Sequence, residues 1–344
     1  MSRRSLTLAI AGLATVAAIA VAVLFPVPYV ILTPGPTLNT LGKSTSGQPL
    51  ISITGHPTYP PKGHLNLVTI SYQGGPGSHL SIFQALRGWI DPSEAVVPQS
   101  ELFPPGQTVQ QTQAQDTEQM TSSQELATAA ALTELHIAYQ TQVEVVSTVP
   151  GYPASKVLKA GDVIVAVDGK PVTGEASLSS MIDAQPAGST LQLEVLRAGK
   201  TLTIPVASKT SNGTAVIGVQ VQVQYKFPFN VRISVGDIGG PSAGMMFSLG
   251  IIDMLTPLNL TGGKFIAGTG EITPSGQVQP IGGIQQKMVG ARDAGATIFL
   301  APAGNCSDTA GAVPAGLRVV KVSNLSQAVS DLEAIKAGKP VPSC

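Results

Sequence analysis

The chain has 344 residues, enough for two domains and a short tail. Twenty lysines and arginines balance twenty aspartates and glutamates, so there is no net charge with which to attract nucleic acid, and no nucleic-acid partner is expected. Charged residues make up 12% and mean hydropathy is +0.25, which fits neither a disordered chain nor a multi-pass membrane protein.

The excess apolarity is concentrated in residues 6–25, a run of twenty without a charge, which matches the thickness of a bilayer core. Arg3 and Arg4 precede it and the next charge is Lys43, so the positive-inside rule makes residues 1–5 a cytoplasmic tail, 6–25 a transmembrane anchor, and the rest extracytoplasmic. A cleaved signal peptide is the competing reading, because Ala18-Ile19-Ala20 and Ala20-Val21-Ala22 fit a small-x-small site. The continued apolar run through Val23, Leu24 and Phe25 favours the anchor. Either way the expected localisation is outside the cytoplasm, single-pass at the cell membrane in the favoured case.

Beyond the anchor, four prolines between 26 and 36 make 27–39 an extended stalk or edge strand. Residues 51–53 and 64–70 alternate as strands do. The break Gly74-Gly75-Pro76-Gly77-Ser78 predicts a helix over 79–90 capped by Ser78, with Trp89 in the core. Residues 100–116, rich in Gln, Pro and Thr, read as a mobile loop, and 117–135 as a helix. The four histidines (His56, His64, His79 and His136) are scattered at element ends with no metal-ligand spacing; they are expected at the surface, with no metal and no cofactor.

Residues 143–208 form a β-rich pattern. A strand runs into the turn Pro150-Gly151, Gly161-Asp162 opens a second strand, Asp168-Gly169 is a hairpin turn, and a helix over 175–184 precedes a hairpin around Ala198-Gly199. The stretch resembles a bacterial PDZ domain, on Pro150-Gly151-Tyr152-Pro153-Ala154 and on Leu158-Lys159-Ala160-Gly161-Asp162 through Val167-Asp168-Gly169-Lys170-Pro171. That resemblance implies binding of extended protein or peptide segments by strand addition; a mere spacer is the alternative. Gly199-Lys200-Thr201 lacks the upstream glycine of a phosphate loop, since Glu194 stands there.

Residues 209–344 carry the chemistry. Gly239-Gly240-Pro241-Ser242-Ala243-Gly244 places a serine among small residues ahead of an apolar helix over 242–255, where backbone amides can hold an oxyanion. No histidine lies nearby, and Lys287 is the base on offer. Here the sequence resembles the peptidase domain of the Lon family, which uses a serine–lysine dyad. The matching blocks are Pro241-Ser242-Ala243-Gly244, Thr269-Gly270-Glu271-Ile272-Thr273, Gly276-Gln277-Val278 with Pro280-Ile281-Gly282-Gly283, and Lys287. One departure is Gly239, where many family members carry an acidic residue.

The resemblance implies Ser242 as nucleophile and Lys287 as base, with support from the Thr269 hydroxyl and the Ala243 amide. It extends to 26–142, which resembles the first part of the same peptidase domain, so that the PDZ domain is inserted within it. Cys306 and Cys344 are an even count in an exported chain and are expected to pair. The expected fold is α+β: a transmembrane helix, a PDZ module and a Lon-type α/β peptidase domain. The expected function is an ATP-independent serine endopeptidase, since no Walker-type loop occurs. A tail-specific Ser-Lys peptidase and a non-catalytic PDZ scaffold are the alternatives. Lon peptidase domains tend to form hexameric rings, so the resemblance admits a homo-oligomer.

Overall fold

The structure is a computed structural model that describes residues 3–44, 47–211 and 213–344; among these, the side chains of residues 3, 18 and 20–24 lie outside the description. The chain divides into two compact units, one made of Met1–Ile137 with Phe229–Cys344 and one of Ala138–Pro228.

The first unit opens with helix α1 (Arg3–Leu24). Among the described residues no helix is long and apolar enough to cross a membrane, and the expected span over 6–25 falls partly on side chains outside the description. Then follow β1 (Pro26–Val27), β2 (Tyr29–Asn39), β3 (Ile51–Thr54), β4 (His64–Gln73), β5 (Leu80–Ser81), α2 (Ile82–Ile90), β6 (Ala95–Pro98), α3 (Gln99–Leu102) and α4 (Val109–Glu134).

Three expectations need correction here. Helix α2 begins three residues later than predicted, because Ser81 rather than Ser78 caps it: Ser81 Oγ accepts from the Gln84 amide, and the Gln84 side chain accepts from the Ser81 amide. Trp89 is 56% exposed instead of buried. The core-facing side of α2 consists of Ala85 and Gly88. At Gly88 a Cβ would come 2.8 Å from a methyl of Val96, so the helix lies too close to β6 for a large residue on that side. Residues 100–116 are not a loop throughout, because Thr108 and Gln111 form a second capping box that starts α4 at Val109.

The second unit contains β7 (Gln140–Thr148), β8 (Val163–Val167), β9 (Lys170–Pro171), α5 (Glu175–Asp183), β10 (Thr190–Arg197), β11 (Lys200–Ala207), β12 (Lys209–Ser211), β13 (Thr214–Val216) and β14 (Val219–Lys226). Its main sheet runs β11-β10-β8-β7-β14 over a core that includes Val143, Val145, Ile164, Leu191 and Leu193. Residues 216–224, part of the 209–344 stretch read as the catalytic region, belong here. Strand β14 pairs antiparallel with β7 from Val219↔Thr148 to Lys226↔Gln140, and its alternate residues Val219, Val221 and Val223 pack on this unit's core.

The chain then returns to the first unit with β15 (Asn230–Ile233), α6 (Gly244–Leu255), β16 (Phe265–Gly268), β17 (Glu271–Ile272), β18 (Val278–Gln279), α7 (Ile284–Asp293), β19 (Ile298–Pro302), α8 (Cys306–Thr309), β20 (Arg318–Val322) and α9 (Leu325–Lys336). Its principal sheet has the order β20-β19-β16-β4-β2-β6. The first four strands are parallel, and β2 runs antiparallel to both β4 and β6. Strands from both halves of the sequence therefore share one sheet, three from each, joined at the β16–β4 pair. Helix α6 is buried nearly all round, as its unbroken apolar sequence requires. A disulfide joins Cys306, at the start of α8, to Cys344.

Candidate active site

Ser242 sits in the turn just ahead of α6, held from several directions. Its carbonyl accepts from the Gly270 amide at 2.8 Å and from Thr269 Oγ1 at 2.9 Å. The preceding Pro241 carbonyl accepts from Ser123 of α4 at 3.0 Å, and the Gly240 amide donates to the Asp116 carbonyl at 3.1 Å. The main chain is thus fixed by α4 and by the Thr269-Gly270 segment. No backbone acceptor meets the amides of Ser242 or Ala243 among the described residues.

Lys287 lies in the first turn of α7, with its amide bonded to the Gly283 carbonyl at 3.0 Å. Its side chain is 3% exposed, enclosed with Ile284 and Met288. Lys287 Nζ is 2.9 Å from Ser242 Oγ and 3.3 Å from Thr269 Oγ1. Because the Thr269 hydroxyl donates its proton to the Ser242 carbonyl, its oxygen is left to accept from Nζ. A neutral amine with one N–H so engaged can turn its lone pair toward the serine hydroxyl. The structure therefore brings together Ser242, Lys287, Thr269 and Ala243.

Burial disfavours the ammonium form and lowers the Lys287 pKa from 10.5 to about 8, against a smaller raising effect from the Glu271 carboxylate. Burial likewise raises the Glu271 carboxyl, while Lys287 pulls it back down. Glu271 belongs to the Thr-Gly-Glu-Ile-Thr block, but sequence reasoning assigned it no role. The signal was its place on the strand that follows Thr269.

A cleft of about 730 Å³ opens onto Ser242 and Lys287, with Tyr72, Phe103, Asp116, Met120 and Glu271 among its walls. Asp116 lies on α4, in a stretch that reads as loop from sequence and gives no sign of a role there. At Gly239 a Cβ would come 2.5 Å from the Asp116 Cβ, so Asp116 of α4 fills the space beside the position where an acid was missing. Burial raises the Asp116 carboxyl, and the Tyr72 hydroxyl is raised by burial and then by Asp116. All four histidines are exposed; His56 packs against Phe229 and His64 stacks on Phe265.

Known proteins match this chain in two segments. The PDZ domain family matches residues 108–207, and the Lon protease (S16) C-terminal proteolytic domain matches residues 212–334. Lon protease from Syntrophomonas wolfei is 31% identical over 136 residues, covering 37% of this chain and 16% of that protein. Lon protease 1 from Bacillus subtilis is 32% identical over 127 residues, covering 36% and 16%. The chain thus spans about 16% of the length of these relatives. The PDZ domain of an SdrC-like protein from Listeria monocytogenes is similar at 26% identity over 23% of this chain and 85% of that one, with a TM-score of 0.22. This chain carries a PDZ domain and a Lon-type proteolytic domain, and the matches support a serine peptidase. The matched ranges and the compact units do not coincide: α4, inside the PDZ match, lies in the first unit, and β14, inside the proteolytic match, lies in the second.

Proposed function

We propose that the chain is a membrane-anchored, ATP-independent endopeptidase that cleaves peptide bonds with Ser242 and Lys287. The observation that carries this reading is the 2.9 Å approach of a buried lysine, its pKa lowered to about 8, to the hydroxyl of a serine fixed by its own main chain. Neutral Lys287 takes the proton of Ser242 as Oγ bonds to the scissile carbonyl carbon. The amides of Ser242 and Ala243 hold the resulting oxyanion. Lys287 then returns the proton to the departing amine, the C–N bond breaks, and an acyl-enzyme remains. A water gives a proton to Lys287 as it attacks the ester carbonyl; the C–Oγ bond then breaks, Lys287 returns the proton to Ser242 Oγ, and the acyl half leaves as a carboxylic acid. Thr269 orients the amine throughout.

The anchor rests on the uncharged run over 6–25 behind Arg4, which would put the chain beyond residue 25 outside the cytoplasm. No Walker-type loop occurs in these residues, which supports cleavage without ATP. The PDZ domain is the recruiting module. Strand β14 ends its sheet, and a groove of about 640 Å³ beside it is walled by Leu178 and Ile182 of α5, Ile217, Val219 and Val221. An extended peptide would add to the β14 edge with side chains in that groove.

The test is hydrolysis of an unfolded fluorescent protein by the full chain. Ser242→Ala and Lys287→Ala should each lose at least about 100-fold in rate, with thermal unfolding of Ser242→Ala unchanged. Lys287→Arg should not rescue, since arginine stays charged. Near-normal hydrolysis by Lys287→Ala would place the base elsewhere and end the dyad reading.

A further inference from the structure

Helix α2 carries its apolar residues on the wrong side for a core. Ile82, Phe83, Leu86, Trp89 and Ile90 are all exposed, Trp89 by 56% and Ile90 by 83%. At 100° per residue these five fall within a stripe of about 120°, bordered by the buried Ala85 on one side and Arg87 on the other, with Gly88 and Gln84 on the far side of the helix. Arg87, at the Phe83 edge of the stripe, is held in an ion pair with Glu94 at 2.9 Å, so no cation lies within the stripe itself. A contiguous exposed apolar face of this kind marks a surface that meets something other than water.

Its place in the fold says what. The chain leaves α1 at Leu24 and enters β1 two residues later, where Pro26 pairs with Ser81 and Val27 with Leu80. Ser81 is the cap of α2. Hydrogen-bonded register therefore fixes the start of α2 at the end of the apolar run, and α1 packs against both α2 and β5. Phe25, at the junction, is exposed as well.

We propose that α2 lies in the surface of the lipid bilayer that α1 enters, with its stripe among the upper acyl chains and Trp89 at headgroup level. The inference rests on the anchor reading and adds a second, independent contact with the membrane. The chemistry fits a lipid surface: a short amphipathic helix with aliphatic and phenyl groups on one face, and an indole at its end, is the pattern that settles in an interface. The bilayer is favoured over a second copy of the chain because the stripe starts where the membrane-directed helix ends. Seated this way, α2 would hold the peptidase unit at the membrane instead of letting it swing from a tether.

Trp89 is the sole tryptophan, so its fluorescence reports on α2 without labelling. The full chain is reconstituted into phosphatidylcholine–phosphatidylglycerol vesicles. Quenching of Trp89 is measured with lipids brominated near the headgroup end of the acyl chain and with aqueous iodide, and retention is scored after alkaline carbonate. Expected are carbonate-resistant retention, strong quenching by brominated lipid and weak quenching by iodide. Replacing two exposed stripe residues, Phe83→Ser with Leu86→Ser, should cut lipid quenching by about twofold or more and leave retention unchanged. Retention with iodide quenching and no lipid quenching would overturn the proposal while the anchor stands. Retention with Trp89 shielded from both would overturn it in favour of a protein partner. Release by carbonate would remove the anchor reading; lipid quenching before extraction would then still support the docking of α2, and its absence would overturn that too.

Discussion

A lysine serves as a base only in the fraction that has lost its proton, and at this site that fraction is set by burial working against one carboxylate. With the Lys287 pKa at about 8, the rate constant kcat/KM should rise about tenfold per pH unit below that value and level off above it. The Glu271 charge favours the ammonium, so Glu271→Gln should move the midpoint of that limb to lower pH; an unmoved midpoint would show that the two groups are not coupled. Stability follows the same titration. The folded pKa lies below the unfolded one, so between about 8 and about 10.4 the unfolded chain holds a proton that the folded chain has lost, and stability rises with pH across that window. Below about 8 both states are charged and the folded state carries the full desolvation penalty, roughly 3 kcal/mol for a fall from 10.5 to about 8. Lys287→Met should therefore raise the Tm at pH 7, with an advantage over wild type that narrows toward pH 10. A lower Tm for the methionine variant at pH 7 would contradict the assigned cost.

Among the elements, Asp162 stands out as a buried charge with full pairing. Arg197 binds both its carboxylate oxygens, at 2.6 and 2.7 Å, and the Lys159 amide donates to it at 2.8 Å. Hydrogen bonding from Arg197 does most to hold the carboxyl below its ordinary value. Asp162→Ala removes the acceptor of the Lys159 amide and of both Arg197 bonds, so it should destabilise the second unit, read as faster amide exchange across 140–226. The same region shows what was legible in the sequence. Turns at Pro150-Gly151 and Asp168-Gly169 and the strands between them follow from local residue chemistry. Strand β14 does not: its Val–Gln alternation fits any half-buried strand, and only pairing with β7 assigns it to this sheet. The capping boxes at Ser81 and Thr108 are readable in principle, but Ser78 after the Gly-Pro break offers an earlier cap for α2, and Thr108 lies in a stretch whose Gln, Pro and Thr content reads as loop. Trp89 misled because a large aromatic is usually core, whereas the near approach of α2 to β6 at Gly88 puts the small face inward. At the active site Ser242, Lys287 and Thr269 were visible because they sit in motifs; Asp116 was not, since its proximity to Gly239 is created by the fold alone.

At the scale of the molecule, one peptidase unit is assembled from two stretches of chain that flank another compact unit. The β16–β4 pairing joins residues about 200 apart, so the sheet beneath the site depends on both stretches. Removing 138–228 and bridging Ile137 to Phe229 with a short flexible linker should leave cleavage of a short peptide within about threefold of the full chain, while turnover of protein substrates falls. Removing only 143–208 should instead give insoluble protein, because β14 would lose β7, and Ala215 and Ile217 would lose the core that buries them. If the wider deletion abolished folding, the second unit would be structural and the recruitment proposal would lose its support. The account as a whole stands on the chemistry of one oxygen. Its most direct test is the rate at which a fluorophosphonate labels the full chain, followed by intact mass and by mapping of the adduct. Expected are a single adduct on Ser242, a rate that climbs with pH to a midpoint at about 8, and a drop of at least about 100-fold in Lys287→Met. An adduct that forms at an unchanged rate in Lys287→Met, or on any residue other than Ser242, would contradict it.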